Sequence, residues 1–338
     1  MQKVTIHDIA RELNITFSTV ARALNDHPAI SVTTKEAVRE TAKRLGYRQN
    51  KVASSLRSGR TNIIGVVVPS LDVSFFSSVV HGIERVMHEN GYSILLYQSN
   101  ESLKQETKGI ATFLASRVDG IIASVTAETF QYEHYTEIKK RNVPLLFFDR
   151  TLDELQVPSV TINDYKGGFM ATEHLIRKGY KRIVHISSER NLPIFSERLR
   201  GYTDALAYYD LPFDENLVFR GNISMEYGKT CVDALLEKQV QFDAIFALED
   251  YMAMGAIHQL LAHGITVPDQ VGVIGFANEA FGAYITPTLS TIDQQTVKMG
   301  EEVANLFLKL SKNKKFYEAE PERVVLEPLL MIRQSTAR

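Results

Sequence analysis

The chain has 338 residues, 44% of them hydrophobic, enough for two or three globular domains with a sizeable core. A single cysteine, Cys231, excludes a disulfide framework and a cysteine-rich metal site, and the sequence has neither an eighteen-residue apolar run nor the apolar stretch of a secretory signal, so a cytoplasmic protein is expected. The net charge of −2 is unevenly divided: residues 1–60 carry eleven Lys/Arg against five Asp/Glu, net +6, which leaves −8 on the remainder and marks the amino terminus as the part suited to phosphate.

In chain order, residues 5–25 come first. Ile6, Ile9, Ala10 and Leu13 recur at helical spacing, and Thr5 with Asp8 forms a capping box, which predicts a helix over 6–13. Asn14 tolerates a left-handed turn, and Thr16 caps a second helix running to Leu24. The turn of about three residues has the length of a DNA-binding helix-turn-helix. Val20, Ala23 and Leu24 face the first helix, leaving Phe17, Ser18, Ala21 and Arg22 outward, a ring, hydroxyl, methyl and guanidinium suited to base edges in a major groove. A helical hairpin that only packs remains the plain alternative. Ser31 and Thr33 offer caps for a third helix, buried through Val38, Ala42 and Leu45 and ending at Gly46.

Residues 48–60, RQNKVASSLRSGR, read as a polar, basic linker in which Ala53 and Leu56 could share one side of a helical turn or two. From Ile63 onward, apolar runs alternate with helical patterns: IIGVVVP, YSILLYQ, VDGIIAS and VPLLFFD, then, after Asn163, RIVHISS, LVFRG, AIFALE and VGVIGF. Such runs imply an α/β fold with two doubly wound parallel sheets, each covered on both faces. Ligands of such sheets bind beyond the strands' carboxyl ends, here in the cleft between two halves.

Nucleotide-binding glycine motifs, a nucleophile elbow, HExxH and CxxC are all absent, and the histidines are scattered, so no cofactor or metal is expected. Polar residues at strand ends stand out: Ser70, Asp72, Ser99, Asn100, Ser124, Asp149, Arg150, Glu249, Asp250, Asn278 and Glu279, with Phe75, Phe76 and Phe195 offering apolar walls and Arg198 a forked donor. They can bind a small polar ligand or merely cap the following helices. A catalytic carboxylate pair of Asp149 with Glu249 is a weaker alternative, since nothing positions a substrate.

The ordered motifs VTIHDIARELNITFSTVARALN, TKEAVRETAKRLGY, VASSLRSGRTNIIGVVVP, FFDR, RLRGY, IFALEDYMAMGA, VGVIGFAN, ITPTLSTI and EPLLMIRQST resemble those of the LacI/GalR family of transcription regulators over the whole chain. The resemblance implies a three-helix DNA-binding head (1–46), a hinge (47–61), and an effector-binding and dimerisation core (62–338) of periplasmic-binding-protein type. One subdomain of that core would span about 62–162 and 292–322, the other about 163–291 and 323–338.

It further implies a homodimer on a pseudo-palindromic double-stranded operator. Phe17, Ser18 and Arg22 would read bases and Thr5, Thr19 and Asn25 would hold phosphates. Ala53 and Leu56 would belong to a hinge helix whose Leu56 wedges the minor groove. A small effector, often a sugar or nucleobase derivative, would bind Phe75, Phe76, Ser124, Asp149, Arg198, Ile223, Glu249, Ala277 and Asn278. The sequence departs from the family pattern at Asn14 in the turn, at Gln49 before the hinge, and at Ile223, Glu249 and Ala277–Asn278, where an aromatic, an Asn and an Asp pair are frequent. Two other readings share parts of this pattern: a periplasmic-type solute-binding protein, and an α/β enzyme with an accessory head. The missing signal peptide and the helix-turn-helix oppose the first.

Overall fold

The structure is a computed structural model that describes residues 4–47, 60–312 and 316–338. It divides into two compact units, Met1–Thr61 and Asn62–Arg338.

In the first unit, α1 (Ile6–Glu12), α2 (Phe17–Leu24) and α3 (Val32–Arg44) enclose a small core of Ile9, Ala10, Val20, Ala23, Val38 and Ala42. The helix ends follow the local chemistry. The Asp8 carboxylate accepts from the Thr5 N–H at 2.9 Å and the Thr5 hydroxyl at 2.8 Å, Thr16 Oγ1 accepts the Thr19 N–H at 3.1 Å, and Ser31 Oγ accepts the Thr34 N–H at 3.2 Å. Asn14 takes a φ of +52° at the turn, where the sequence has Asn in place of a glycine. The third helix ends at Arg44, two residues before the Gly46 expected to stop it, with Leu45 as its C-cap.

The second unit holds two six-stranded sheets. The first has the order β11-β5-β4-β3-β1-β2, built from β1 (Ile63–Val68), β2 (Ser93–Gln98), β3 (Gly120–Ala123), β4 (Leu145–Phe148), β5 (Ser159–Ile162) and β11 (Arg323–Leu326). The second has the order β12-β10-β9-β8-β6-β7, from β6 (Ile183–Ser188), β7 (Val218–Gly221), β8 (Ala244–Ala247), β9 (Gly272–Ala277), β10 (Ser290–Asp293) and β12 (Leu329–Met331). Every pairing is parallel except β10 with β12. Helices α4 (Ser74–Glu89), α5 (Leu103–Ala115), α6 (Glu133–Lys140) and α11 (Thr296–Leu310) belong to the first lobe; α7 (Asp164–Arg177), α8 (Pro193–Tyr208), α9 (Met225–Glu237) and α10 (Asp250–Ala262) belong to the second. Each sheet carries an apolar cluster on either face, around Val66 and Phe113 in the first lobe and around Ile245 and Phe246 in the second.

The chain passes between lobes three times: after β5, after β10 and between β11 and β12. This corrects the expected subdomain limits. Residues 323–326, assigned from the sequence to the second lobe, pair with β5 in the first, Val324 opposite Val160. The crossing falls at 327–328, where Pro328 has no N–H to extend the ladder. Likewise β10 continues to Asp293, past the limit expected at 291.

Candidate regulatory sites

On the first unit, Phe17, Ser18, Ala21, Arg22, Asn25 and His27 line a shallow concavity on the outer face of α2. Phe17 is 53% exposed, its ring centroid 5.1 Å from that of His7. Four other cations of the unit fold back onto carboxylates: Arg11 onto Asp8, Arg39 and Lys35 onto Asp26, Arg44 onto Glu12. Arg22 has no such partner among the described residues, so an exposed guanidinium stands ready on the outer face beside an exposed ring. The expected phosphate contacts are less free. Thr5 donates its hydroxyl to Asp8, Thr19 shares a hydrogen bond with Thr16 at 2.9 Å, and Asn25 Nδ2 donates to the Ala21 carbonyl at 2.9 Å. Ala53 and Leu56 lie outside the described residues.

On the second unit, both lobes contribute to a cavity of about 370 Å³ at the carboxyl ends of the strands. The first lobe supplies Asp72, Val73, Phe75, Phe76, Glu101, Asp149 and Arg150; the second supplies Arg190, Ile194, Phe195, Arg198, Ile223, Ser224, Met225, Glu249, Tyr251, Ala277 and Glu279, with Gln294 from the second crossing. Seven of the nine residues expected on a ligand therefore meet at one surface.

The other two do not. Ser124 is fully buried, with its N–H on the Val67 carbonyl and its hydroxyl unpartnered. The Asn278 side chain is a strut beneath the wall, donating to Asp293 Oδ2 at 3.1 Å and accepting from Arg333 Nη2 at 2.7 Å. Glu101, Arg190, Ser224, Met225, Tyr251 and Gln294 were missed. Glu101 and Arg190 follow β2 and β6, and the strand-end rule would have reached them one or two residues further on. Gln294 follows β10, a strand too short and polar to stand out.

Arg198 is 4% exposed and held on all sides. Nε donates to Asp164 at 2.7 Å, Nη1 to the Leu248 carbonyl at 3.1 Å and Nη2 to Gln294 Oε1 at 3.2 Å, while the guanidinium lies 3.7 Å from the centroid of the Phe276 ring. The sequence permits this because α7 and α8 cross at backbone contact: a Cβ on Gly168 would sit 2.2 Å from the Arg198 carbonyl. Burial raises the pKa of Asp164 despite the cation beside it.

A second knot lies in the first lobe. Glu101 accepts from Arg150 at 2.9 and 3.0 Å and from Arg190 of the opposite lobe at 2.8 Å, and takes the Ala127 N–H at 2.9 Å. Burial opposes charge on Glu101, but Arg150, this N–H and Arg190 outweigh it and hold its carboxyl below the usual range. A second bridge between lobes runs from the Ser74 hydroxyl to Glu279.

The carboxylates of the second wall behave differently. Glu249 caps α10 through the Tyr251 N–H at 2.7 Å, and burial with Asp250 behind it pushes its pKa up to about 8. Asp250 is buried, accepting from Thr291 Oγ1 at 2.6 Å and the Glu279 N–H at 2.7 Å, and burial lifts it to about 7. Room for it depends on Gly275, where a Cβ would lie 2.1 Å from Asp250 Oδ1. Asp149 is lifted by burial to about 7, although Arg150 Nε lies 3.7 Å away.

Two family models cover these units: one for bacterial regulatory proteins of the lacI family over residues 5–50, and one for periplasmic binding proteins and the sugar binding domain of the LacI family over residues 61–326. The chain belongs to the LacI family. Catabolite control protein A of Priestia megaterium is 33% identical over 307 residues, spanning 90% of this chain and 92% of that protein. The transcriptional regulator CelR, solved as a cellobiose complex, is 29% identical, covers 98% of this chain and 100% of its own, and superposes with a TM-score of 0.73. The lac repressor dimer bound to operator and an anti-inducer, 24% identical with full coverage of both chains and a TM-score of 0.87, shares the fold.

As a LacI-family member the chain is a DNA-binding transcription regulator with a sugar-binding-type domain, not an enzyme. Its head distinguishes it from a solute-binding protein. Among the described residues no helix is long and apolar enough to cross a membrane, and no cluster of His, Cys, Asp or Glu is disposed to hold a metal.

Proposed function

We propose that this LacI-family regulator works in the cytoplasm as a homodimer on a pseudo-palindromic operator, and that a small, sugar-sized effector in the cleft shifts the population between DNA-competent and DNA-incompetent dimers. The observation that carries the reading is a cavity of about 370 Å³ walled by both lobes in a chain whose head presents, on its recognition face, an arginine unpaired among the described residues. Phe17, Ser18 and Arg22 read base edges; Thr19, Asn25 and Thr5 hold the backbone once their capping bonds exchange for phosphate. The likeness to a regulator solved with cellobiose supports a carbohydrate-sized ligand.

The test is selection of operator sequence from random duplex, followed by fluorescence-anisotropy titration with and without a library of sugars and sugar derivatives. A selected pseudo-palindrome, bound at two chains per duplex and with affinity changed by at least one ligand, supports the proposal. Binding without sequence preference, or as a monomer, rejects it.

A further inference from the structure

The cleft is rich in acceptors; of its donors, the buried Arg150 Nε is without a hydrogen-bond partner among the described residues and lies 3.7 Å from the Asp149 carboxylate. Its three arginines already hold partners: Arg150 and Arg190 share Glu101, and Arg198 is divided among Asp164, the Leu248 carbonyl and Gln294. Three lining carboxylates have capacity left. Asp149 is 5% exposed, and no hydrogen-bond donor reaches its carboxylate among the described residues. Glu249 uses one oxygen on the Tyr251 N–H, and Glu279, 7% exposed, uses one on the Ser74 hydroxyl.

Glu249 and Glu279 repel each other across the same wall, with the buried Asp250 behind them and its oxygens filled. Arg150 faces Asp149 at 3.7 Å, but among the described residues no cation forms an ion pair with Glu249 or Glu279, and carboxylates so placed in a partly dry cavity are held at a cost. A ligand relieves it by bringing hydrogen-bond donors and positive charge. Phosphate or carboxylate would add repulsion. An apolar wall of Phe75, Phe76 and Ile223 faces a ligand's hydrocarbon surface.

We propose that the effector carries a protonated amine, as an amino sugar or an amino-polyol of similar size does, with the ammonium received by Glu249 and Glu279 and a hydroxyl donated to Asp149. The proposal rests on the cleft being the effector site.

Isothermal titration and thermal shift of the full-length protein test it with matched probes: glucosamine, galactosamine and mannosamine against their parent hexoses, N-acetylated forms and 6-phosphates. At least one free amine is expected to bind about tenfold or more tightly than its neutral, acetylated and phosphorylated matches, the size of a single charge-assisted contact. Glu249→Gln keeps an oxygen for the Tyr251 N–H, so the helix cap survives, and is expected to remove that preference. The proposal is overturned if no amine stabilises the protein, if a neutral or phosphorylated match binds as well, or if the preference survives Glu249→Gln. Ile223→Trp, which fills the cavity, separates this from the underlying reading: a compound bound equally by that variant lies elsewhere, and the cleft itself is then the wrong site.

Discussion

Replacing Arg198 by methionine keeps the buried stem and deletes the guanidinium. Asp164 then loses its 2.7 Å partner, and the Leu248 carbonyl and Gln294 lose donors at 3.1 and 3.2 Å, all in a region closed to water. Removing one member of a buried ion pair costs about 3–5 kcal/mol, because the other charge stays buried and uncompensated. The lost neutral hydrogen bonds are part of the same network and do not add in full. At roughly 2–4 °C per kcal/mol for a large domain, the effector-binding unit should melt some 6–20 °C lower.

The deficit also depends on pH. Burial already raises Asp164 with Arg198 present; without the cation it rises further. An acid whose folded pKa lies above its unfolded value stabilises the fold at low pH and loses that contribution as pH climbs through the folded value. The variant should therefore trail the wild type more at pH 8 than at pH 5, and Asp164→Asn on top of Arg198→Met should recover part of the loss. Urea unfolding followed by circular dichroism at both pH values measures this. A loss below about 1 kcal/mol at pH 8, or one indifferent to pH, would refute the assignment of Arg198 as the brace of the cleft.

Other outcomes follow from the same residues. In the wild type, Asp149 and Asp250 at about 7 and Glu249 at about 8 are all raised, so the free energy of unfolding should fall by a few kcal/mol from pH 6 to about pH 8 and then level off, the three groups being ionised in both states; a flat or rising profile between pH 6 and pH 8 contradicts those environments. Arg22→Ala should weaken binding to the selected operator by about 1–3 kcal/mol in anisotropy titrations while leaving ligand affinity unchanged, as expected of a side chain that reads a base. Ala277 sits at the cavity wall with a φ of +142°, so Ala277→Gly should raise the thermal midpoint by the equivalent of about 1 kcal/mol, and a lowered midpoint would show that this backbone is not strained. Arg190→Ala removes one of two bridges between lobes; half-exposed, it should weaken effector binding by about fivefold at most in calorimetry.

The head was legible because its signals are local. Thr5, Asp8, Thr16 and Ser31 cap helices from within three residues, and Asn14 adopts its turn alone. Strands that alternate with helical patterns announced themselves as apolar runs, the four-residue β3, β4, β7 and β8 included. β5, β10 and β11 are four residues each and β12 three, with sequences such as STID whose place in a sheet is set by neighbours rather than by their own pattern.

The site was legible where position relative to a strand decides contact, as for Phe75, Asp149 and Glu249. It was not where tertiary bonding decides orientation. Asn278 occupies the expected place in the chain, but Arg333 and Asp293 turn its side chain into a support. Arg198 was expected as a ligand donor from its forked chemistry and from the family resemblance; its bonds to Asp164, Leu248 and Gln294 make it first a positioning residue. Glu249 shows that the two roles weighed for strand-end residues need not exclude each other, since it caps α10 and lines the cavity with the same carboxylate.

How a ligand could influence lobe geometry follows from which group sits where. Asp149 belongs to the first lobe and Glu249 and Glu279 to the second, so a ligand that engages all three binds the closed arrangement better than an open one. Only that difference in affinity can shift the equilibrium. The two protein bridges across the cleft, Glu101 to Arg190 and Ser74 to Glu279, are partly solvated and contribute about 1 kcal/mol or less apiece. Moving a population from mostly open to mostly closed takes about 5.5 kcal/mol, so the bridges alone leave the lobes poised and the ligand supplies most of the bias. Arg198 supplies the stiffness that lets such a bias reach the chain crossings. It ties the end of β8, through Leu248, to the first crossing at Asp164 and the second at Gln294, so the wall beside Glu249 is bonded to two of the three segments that join the lobes.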